Sequence, residues 1–217
     1  MLKAPIGKNP LVLSYLTLRK AVGLVALALP YTMAIPWALL RHTIQTSISA
    51  YYYTGMRNLF VGFLCAIGMF MLCTRGYDKC DEVAGIFSAI CAIGVALFPT
   101  SPDSCATHRQ LVVGEIHYAF AGALFLTLAF FCLVLFRMSA EHHVVTRQKI
   151  QRNRVYATCG VVILLSLAAL PLATIVFHVR YIFCDVAPGI LFETTSLLAF
   201  GVAWLVKGET ILKDQSP

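Results

Sequence analysis

The feature that most constrains this chain is a series of long apolar stretches separated by short polar connections. A helix needs about 20 mostly apolar residues to cross the hydrocarbon core of a bilayer. Each stretch is continuously apolar rather than alternating, which argues against barrel strands, and backbone groups in lipid must be paired within the protein. The sequence therefore predicts an all-α integral membrane protein, a six-transmembrane-helix bundle. The predicted spans are residues 21–40, 58–73, 81–98, 114–136, 155–178 and 188–206.

Composition excludes an ordinary water-soluble domain. Hydrophobic residues make up 59% of the chain and charged residues 12%, whereas soluble domains average roughly 45–50% and about 25%. The connections between the stretches are short and the sequence shows no internal repeat. We therefore expect residues 1–217 to form a single membrane domain.

Basic residues are divided unevenly between the two sides of the predicted bundle. Thirteen of the 17 Lys and Arg residues fall on the side of the two termini. The positive-inside rule then predicts that both termini lie in the cytoplasm. This anchoring accounts for the net charge of +7 without a nucleic-acid partner. The basic residues on the outward side are Arg41, Arg57, Arg109 and Arg180.

Small residues predict which span lies at the centre of the bundle. Because lipid is as apolar as a leucine side chain, helices in a membrane associate through close packing at small residues. The third span carries Ser88, Ala92 and Ala96 at intervals of four residues. We therefore expect this span to pack at the centre.

Two cysteines are predicted to lie in outward loops, Cys105 and Cys184. A disulfide persists only in an oxidising compartment, which the outward side provides. We consider both a Cys105–Cys184 bridge and two free thiols. No Cys-x-x-Cys pair typical of a zinc motif is present in the sequence.

Polar side chains gather at the outward ends of the spans. Glu193 lies inside the sixth span, and ionisable groups within a span usually face the protein interior and pair there. The tyrosine run 51–53 precedes the second span, and we expect at least two of its rings to anchor at the membrane interface. The candidate ligand-binding residues are Tyr52, Arg57, Glu115, His117, His178 and Glu193.

Three interpretations of these residues stay open. In the first they are structural, with Glu193 paired to Arg57 or Arg180. In the second, Tyr52, Arg57 and Glu193 contact a lipid headgroup or another small polar molecule, which makes membrane lipids the expected partner. In the third they hold a water-activating zinc ion, a cofactor that three protein ligands and one open position would suit. Its ligands would be His117, His178 and Glu193.

Four segments carry a family resemblance. They are Ser47–Phe60, Gly94–Thr100, Ile116–Ala121 and Phe200–Gly208, with Glu193 upstream of the last. These segments resemble an uncharacterised family of small bacterial multi-span inner-membrane proteins, classed as a domain of unknown function. The chain is also loosely similar to the DRAM and Sfk type of six-span membrane proteins, which are linked to membrane lipid organisation and trafficking. The resemblance implies contact with lipid and a location in the inner membrane.

The function predicted from these observations is non-enzymatic: the protein binds or organises a lipid or small amphiphile at the outer leaflet. The alternative is a metal-dependent membrane hydrolase that acts on a lipid with a zinc cofactor. A small-solute transporter is the third hypothesis. The sequence lacks a Gly-x-Ser-x-Gly nucleophile motif, a phosphate-binding loop and a dinucleotide fingerprint.

Overall fold

A computed structural model describes residues 15–73, 79–102, 105–138, 146–176 and 186–212. Within these ranges the chain folds almost entirely into helices, and six of them are long. A short 3₁₀ helix, Ser49–Tyr53, lies between the first two. The long helices are α1 (Tyr15–Arg41), α2 (Arg57–Cys73), α3 (Lys79–Leu97), α4 (His108–Leu133), α5 (Arg147–Pro171) and α6 (Pro188–Lys207).

Most of these helices are long and apolar enough to cross a membrane. Five of them meet this condition, and α2, with 17 residues, is shorter. Their outer surface is apolar as well: the exposed fractions of Leu39, Leu40 and Ile175 are 74%, 72% and 71%. A soluble protein would not leave such side chains exposed all along its helices, whereas lipid solvates them. The chain is therefore a multi-pass membrane protein.

Three helices, α1, α4 and α5, begin well before the spans that hydropathy predicts. The predicted fifth span starts at residue 155, but α5 begins at Arg147, because the hydroxyl of Thr146 accepts the backbone N–H of Lys149 at 3.2 Å. Such a cap satisfies an amide that has no partner within the helix and lets the helix begin in water. Thr107 caps α4 in the same way, so α4 also starts before its predicted span.

The helices follow one another around the bundle. Each packs against the next along the chain, and α6 returns to pack against α1. The helices α4 and α6, on either side of α5 in the chain, also make a smaller contact with each other. Among the five long spans α5 is the least buried, since only 22% of its most apolar stretch is buried.

The prediction for the third span holds only in part: its small-residue face is buried, but α3 packs against α2 and α4 as one member of the ring rather than at its centre. Half of the most apolar part of α3 is buried. Ser88, Ala89 and Ala92 have no exposed surface, and Ala96 is 1% exposed. Short side chains on this face let the neighbouring helices approach closely, which is where dispersion contacts and interhelical packing stabilise a bundle in lipid.

The contact between α1 and α6 depends on a pair of glycines. A Cβ atom placed on Gly201 would lie 2.6 Å from the side chain of Leu27 and 3.0 Å from the carbonyl oxygen of Gly23. A Cβ atom on Gly23 would lie 2.9 Å from the carbonyl oxygen of Gly201. Only glycine fits at both positions, because any side chain would push the two backbones apart.

A proline accompanies a change of helix type at the end of α5. Pro171 has no backbone N–H, and the chain continues as a π-helical turn, Leu172–Val176. The N–H of Leu172 is shared between the carbonyl oxygens of Ala168 and Ala169. The turn thus reorganises the backbone hydrogen bonds that the proline disrupts.

The two ends of the bundle differ in character. We call the loop end the end formed by residues 42–56, 98–102 and 105–107 with the first turns of α4 and α6. We call the opposite end, where α1, α3 and α5 begin and α6 ends, the basic end. Among the described residues the loop end carries three Lys or Arg residues and the basic end nine. The nine are Arg19, Lys20, Lys79, Arg137, Arg147, Lys149, Arg152, Arg154 and Lys207.

Candidate functional site

Glu193 connects the sixth helix to the connection between α1 and α2. Its Oε2 atom accepts the backbone N–H of Ile48 at 2.8 Å and that of Ser49 at 3.2 Å. Both donors belong to residues that are almost completely buried. They stand at the start of the 3₁₀ helix, where backbone N–H groups lack partners within the helix and a carboxylate is a favourable acceptor. Glu193 therefore holds the whole connection against the bundle.

A second contact beside Glu193 joins the same two elements. The backbone N–H of Ile190 donates to the carbonyl oxygen of Thr46 at 2.8 Å. The first turn of α6 approaches so closely that a Cβ atom on Gly189 would lie 2.6 Å from that carbonyl oxygen. Glycine is required here for close approach, and the start of α6 is in direct backbone contact with the connection.

Tyr51 lies beneath this connection and is completely buried. Its ring meets the ring of Trp37 edge to face, with 6.4 Å between the ring centres. Its hydroxyl oxygen lies 3.5 Å from the backbone nitrogen of Gln45. Burial raises the pKa of Tyr51 above its ordinary value of 10, and the contact with Gln45 opposes this to a smaller extent. Tyr51 is thus a core residue, while Tyr52 and Tyr53 remain candidates for the interface.

Tyr53 links the connection between α1 and α2 to the connection between α3 and α4. Its hydroxyl group donates to the carbonyl oxygen of Thr100 at 2.6 Å. The hydroxyl of Thr100 in turn donates to the hydroxyl oxygen of Tyr118, on α4, at 2.9 Å. Partial burial and the neighbouring tyrosines raise the pKa of Tyr53, which keeps the phenol protonated as a donor. The loop end is therefore a continuous hydrogen-bonded surface rather than two independent loops.

His117 is buried between α3 and α4, with 1% of its surface exposed. Its Nδ1 atom lies 2.7 Å from the carbonyl oxygen of Phe98. Because a carbonyl oxygen only accepts, Nδ1 carries the proton in this contact. The ring of Tyr118 packs edge to face on the imidazole at 5.7 Å. His117 fixes the end of α3 to α4.

Arg57 stands at the exposed start of α2 with its guanidinium group held by Tyr52. The Nη2 atom donates to the hydroxyl oxygen of Tyr52 at 2.6 Å. The guanidinium carbon also lies 4.3 Å from the centre of that ring, a cation–π arrangement. The pair presents a fixed, positively charged group at the boundary of the bundle, where an anionic headgroup of a lipid would lie.

The structure separates several residues that the sequence grouped together. Glu193 bonds to backbone N–H groups and Arg57 to Tyr52, while Arg180 lies outside the described residues. Glu115 is exposed on α4. His178 also lies outside the described residues, so the zinc hypothesis that combines it with His117 and Glu193 stays a prediction. Among the described residues, no group of three or more His, Cys, Asp or Glu side chains is placed to bind a metal ion.

The disulfide hypothesis likewise rests on a residue beyond the described ranges. Cys105 is exposed in the connection between α3 and α4, where its backbone adopts a left-handed conformation with φ of 50°. Cys184 lies outside the described residues. The Cys105–Cys184 bridge stays a prediction.

Several contributors to the loop end were absent from the sequence-based candidates. They are the backbone N–H groups of Ile48 and Ser49, the carbonyl oxygens of Phe98 and Thr100, and the hydroxyl groups of Tyr53 and Tyr118. Backbone groups are common to every residue, so no sequence pattern could have identified them. The two tyrosines carry a weak signal, since a phenol near a membrane boundary is equally well explained by interfacial anchoring.

The described residues also outline a groove at the half of the bundle nearer the basic end. It lies between α3 and α4, has a volume of about 440 Å³ and is lined almost entirely by apolar atoms. Its walls include Phe87 on α3 and Phe130 on α4. A lipid acyl chain would fill such a groove in a membrane. Cys80 and Thr127 also line it, and the hydroxyl of Thr127 donates to the carbonyl oxygen of Ala123 within α4.

Comparison with known proteins adds no family. No protein-family model, no curated protein and no solved structure matches this chain. The resemblance to the bacterial multi-span family therefore remains a prediction from the sequence.

Proposed function

We propose that this protein is a multi-pass protein of the bacterial inner membrane that binds the headgroup of a lipid or small amphiphile at its loop end. The assignment as a multi-pass membrane protein rests on the long apolar helices and their lipid-facing surface. The proposed orientation is supported by the charge distribution, and the proposed headgroup binding by the geometry at Arg57.

The charge distribution supports an orientation in which the loop end faces outward. The basic end carries nine of the described Lys and Arg residues and the loop end three. Basic residues near the ends of spans are retained in the cytoplasm during insertion. In this orientation both termini are cytoplasmic and the loop end meets the outer leaflet.

The observation that carries the proposal is the Arg57–Tyr52 pair. An exposed arginine at a membrane boundary loses conformational entropy when it binds a headgroup. Here the 2.6 Å hydrogen bond and the ring stacking already restrict the guanidinium group. Guanidinium carries five N–H donors in a planar fork that matches two phosphate oxygens. We therefore assign Arg57 as the headgroup contact and Tyr52 as the residue that orients it.

Glu193 acts in this proposal as a positioning residue. Its carboxylate holds the start of the 3₁₀ helix that carries Tyr52. Loss of the carboxylate would loosen this helix and, through it, the orientation of Arg57. Glu193 itself does not contact the headgroup in this account.

The experiment is lipid titration of the purified full-length chain by native mass spectrometry, with phosphatidylglycerol as the probe. Arg57→Gln is expected to weaken the first binding step about tenfold, the effect of one lost charge-assisted hydrogen bond. Tyr52→Phe keeps the ring but removes the hydrogen bond and should give a smaller loss. Arg109→Gln removes an exposed cation at the same end of the bundle and is the matched control.

The proposal is contradicted if Arg57→Gln and Arg109→Gln weaken binding equally. Equal losses would mean that phosphatidylglycerol responds to the net charge of the loop end rather than to the oriented arginine.

A further inference from the structure

The groove between α3 and α4 is closed towards the loop end by close contacts of the two helices. A Cβ atom on Gly94 would lie 2.5 Å from the side chain of Phe120. The rings of Phe98 and Phe120 stack beside this contact, with 5.6 Å between their centres. The groove, about 440 Å³ in volume, begins beyond these residues and extends towards the basic end. It is therefore a blind groove that a ligand enters from the basic end.

One face of each helix lines the groove. The lining residues repeat at i, i+3, i+4 and i+7 between Cys80 and Phe87 on α3 and between Ala123 and Phe130 on α4, a spacing that places them on one side of a helix. Ala84 is buried, with 8% of its surface exposed, whereas the exposed fractions of Val83 and Leu126 are 65% and 54%. A short side chain thus forms the floor, and longer side chains form the walls.

The length of the groove matches one leaflet of a bilayer. From Cys80 to Phe87 the helix axis advances about 10 Å, and one leaflet contributes about 15 Å to the hydrocarbon core. The volume lies within the range of about 300–1,000 Å³ that is typical of small-molecule pockets. A helix of another protein would cross both leaflets, but the groove accompanies it through only one. These dimensions favour a lipid chain.

The extent and chemistry of the lining also favour a lipid over a protein partner. A stable protein–protein interface involves about 20–30 residues on each side, whereas eight residues line the groove. The hydroxyl group of Thr127 donates to the carbonyl oxygen of Ala123 at 2.7 Å, so it is satisfied within α4. What the groove offers is dispersion contact, which an acyl chain makes along its whole length.

The open end of the groove lies at the level of lipid headgroups. Cys80 belongs to the first turn of α3, and the side chains of Lys79 and Glu82 in the same turn are exposed. Arg137, in the 3₁₀ turn that follows α4, is exposed at the same end of the bundle. Charges of both signs at this level suit a headgroup that carries both a phosphate and an ammonium group.

We propose that the groove between α3 and α4 binds one acyl chain of a zwitterionic phospholipid whose headgroup lies at the basic end. This lipid belongs to the leaflet opposite the one that meets Arg57. The site and its test are therefore independent of the headgroup contact proposed at the loop end.

The test is photo-cross-linking of the full-length protein in vesicles of phosphatidylethanolamine and phosphatidylglycerol. The probe is phosphatidylethanolamine with a diazirine at a defined depth in one acyl chain. A diazirine close to the ester should label Cys80 or Phe130, and one in the middle of the chain should label Phe87 or Ala123. Each site should be labelled about tenfold more than the exposed face of α5, the ratio expected for a bound rather than a passing lipid.

A groove-filling substitution with a matched control completes the test. Ala123→Leu places a longer side chain in the groove and should reduce the labelling of Phe87 about tenfold. Ala168→Leu makes the same change at an exposed position of α5 and should leave that labelling unchanged. Should Ala123→Leu fail to fold, which a lost thermal transition reveals, the order of labelling by depth in the wild-type protein decides the question.

The proposal is overturned if α5 is labelled as strongly as the groove, or if the two diazirine depths label the groove in the reverse order. It is also overturned if folded Ala123→Leu is labelled like the wild-type protein. A phosphatidylglycerol probe that labels the groove as strongly as phosphatidylethanolamine would contradict the zwitterionic headgroup. Cross-links from the groove to a second copy of the chain would show that protein, not lipid, occupies it.

Discussion

The Oε2 atom of Glu193 lies 2.8 Å from the backbone nitrogen of Ile48, a residue 145 positions earlier in the chain. This single contact joins the last helix of the bundle to its first connection. Because the carboxylate also accepts the N–H of Ser49, it satisfies two backbone donors that the 3₁₀ helix leaves open. The acidic residue in the sixth span is thus explained as the anchor of the loop end.

Substitution of Glu193 should destabilise the protein in proportion to the acceptors removed. Glu193→Gln retains one acceptor oxygen but loses the charge, with an expected cost of about 1 kcal/mol. Glu193→Ala leaves two buried N–H groups without an acceptor and should cost about 2–4 kcal/mol. Thermal unfolding in detergent measures both, and Glu115→Gln, at an exposed acid of the same end, serves as control. Equal melting temperatures for Glu193→Ala and the wild-type protein would refute the anchoring role.

The close contact between α1 and α6 predicts a strong effect at Gly201. Gly201→Ala places a methyl group 2.6 Å from Leu27 and should destabilise the bundle by about 1–3 kcal/mol. Gly62→Ala is the matched control, because a Cβ atom at Gly62 meets nothing within 4 Å and alanine favours the helix. The melting temperature should fall for Gly201→Ala and should stay unchanged or rise for Gly62→Ala. A shift of both in the same direction would mean that the contact is looser than described.

The buried phenol of Tyr51 predicts a specific sensitivity to alkali. Burial raises the pKa of Tyr51 in the folded protein above its ordinary value of 10. The folded state therefore favours the neutral phenol, so the stabilisation is complete below pH 10 and is lost as the pH rises through the raised pKa. Unfolding measured from about pH 9 to about pH 11 should show a steeper loss of stability for the wild-type protein than for Tyr51→Phe. Parallel curves would contradict the burial of an ionisable group at this position.

The predicted Cys105–Cys184 bridge can be tested directly by chemistry. Protein purified without reductant should yield, after proteolysis, one peptide pair joined by a disulfide, and reductant should separate it. Cys105→Ser should leave Cys184 reactive towards thiol reagents. Two free thiols in the unreduced wild-type protein would rule the bridge out.

The helical architecture was predictable because lipid imposes a simple rule. Long apolar stretches must become helices in a membrane, and the small residues Ser88, Ala92 and Ala96 identified a face of α3 that is buried against its neighbours. The boundaries of α4 and α5 were less predictable. Their first turns are polar and depend on threonine caps, a local feature that hydropathy does not register.

The contacts of the loop end were predictable only in part. The position of Glu193 inside an apolar span indicated that it would pair within the protein, but the partners are backbone N–H groups, which have no sequence signature. Tyr51 and Tyr52 are neighbours with different environments, one completely buried and one holding Arg57. The 3₁₀ helix decides which ring turns inward, and that geometry follows from tertiary contacts.

The orientation of the bundle is tested most directly by labelling single cysteines in sealed membrane vesicles of known sidedness. One chain keeps only Cys105, at the loop end, and a second carries Arg154→Cys, at the basic end, with all eight native cysteines replaced. In right-side-out vesicles a membrane-impermeant maleimide should label Cys105, whereas the Arg154→Cys chain should react only after the membrane is permeabilised. Labelling of the Arg154→Cys chain from outside, with Cys105 protected, would place the basic end outward and contradict the account.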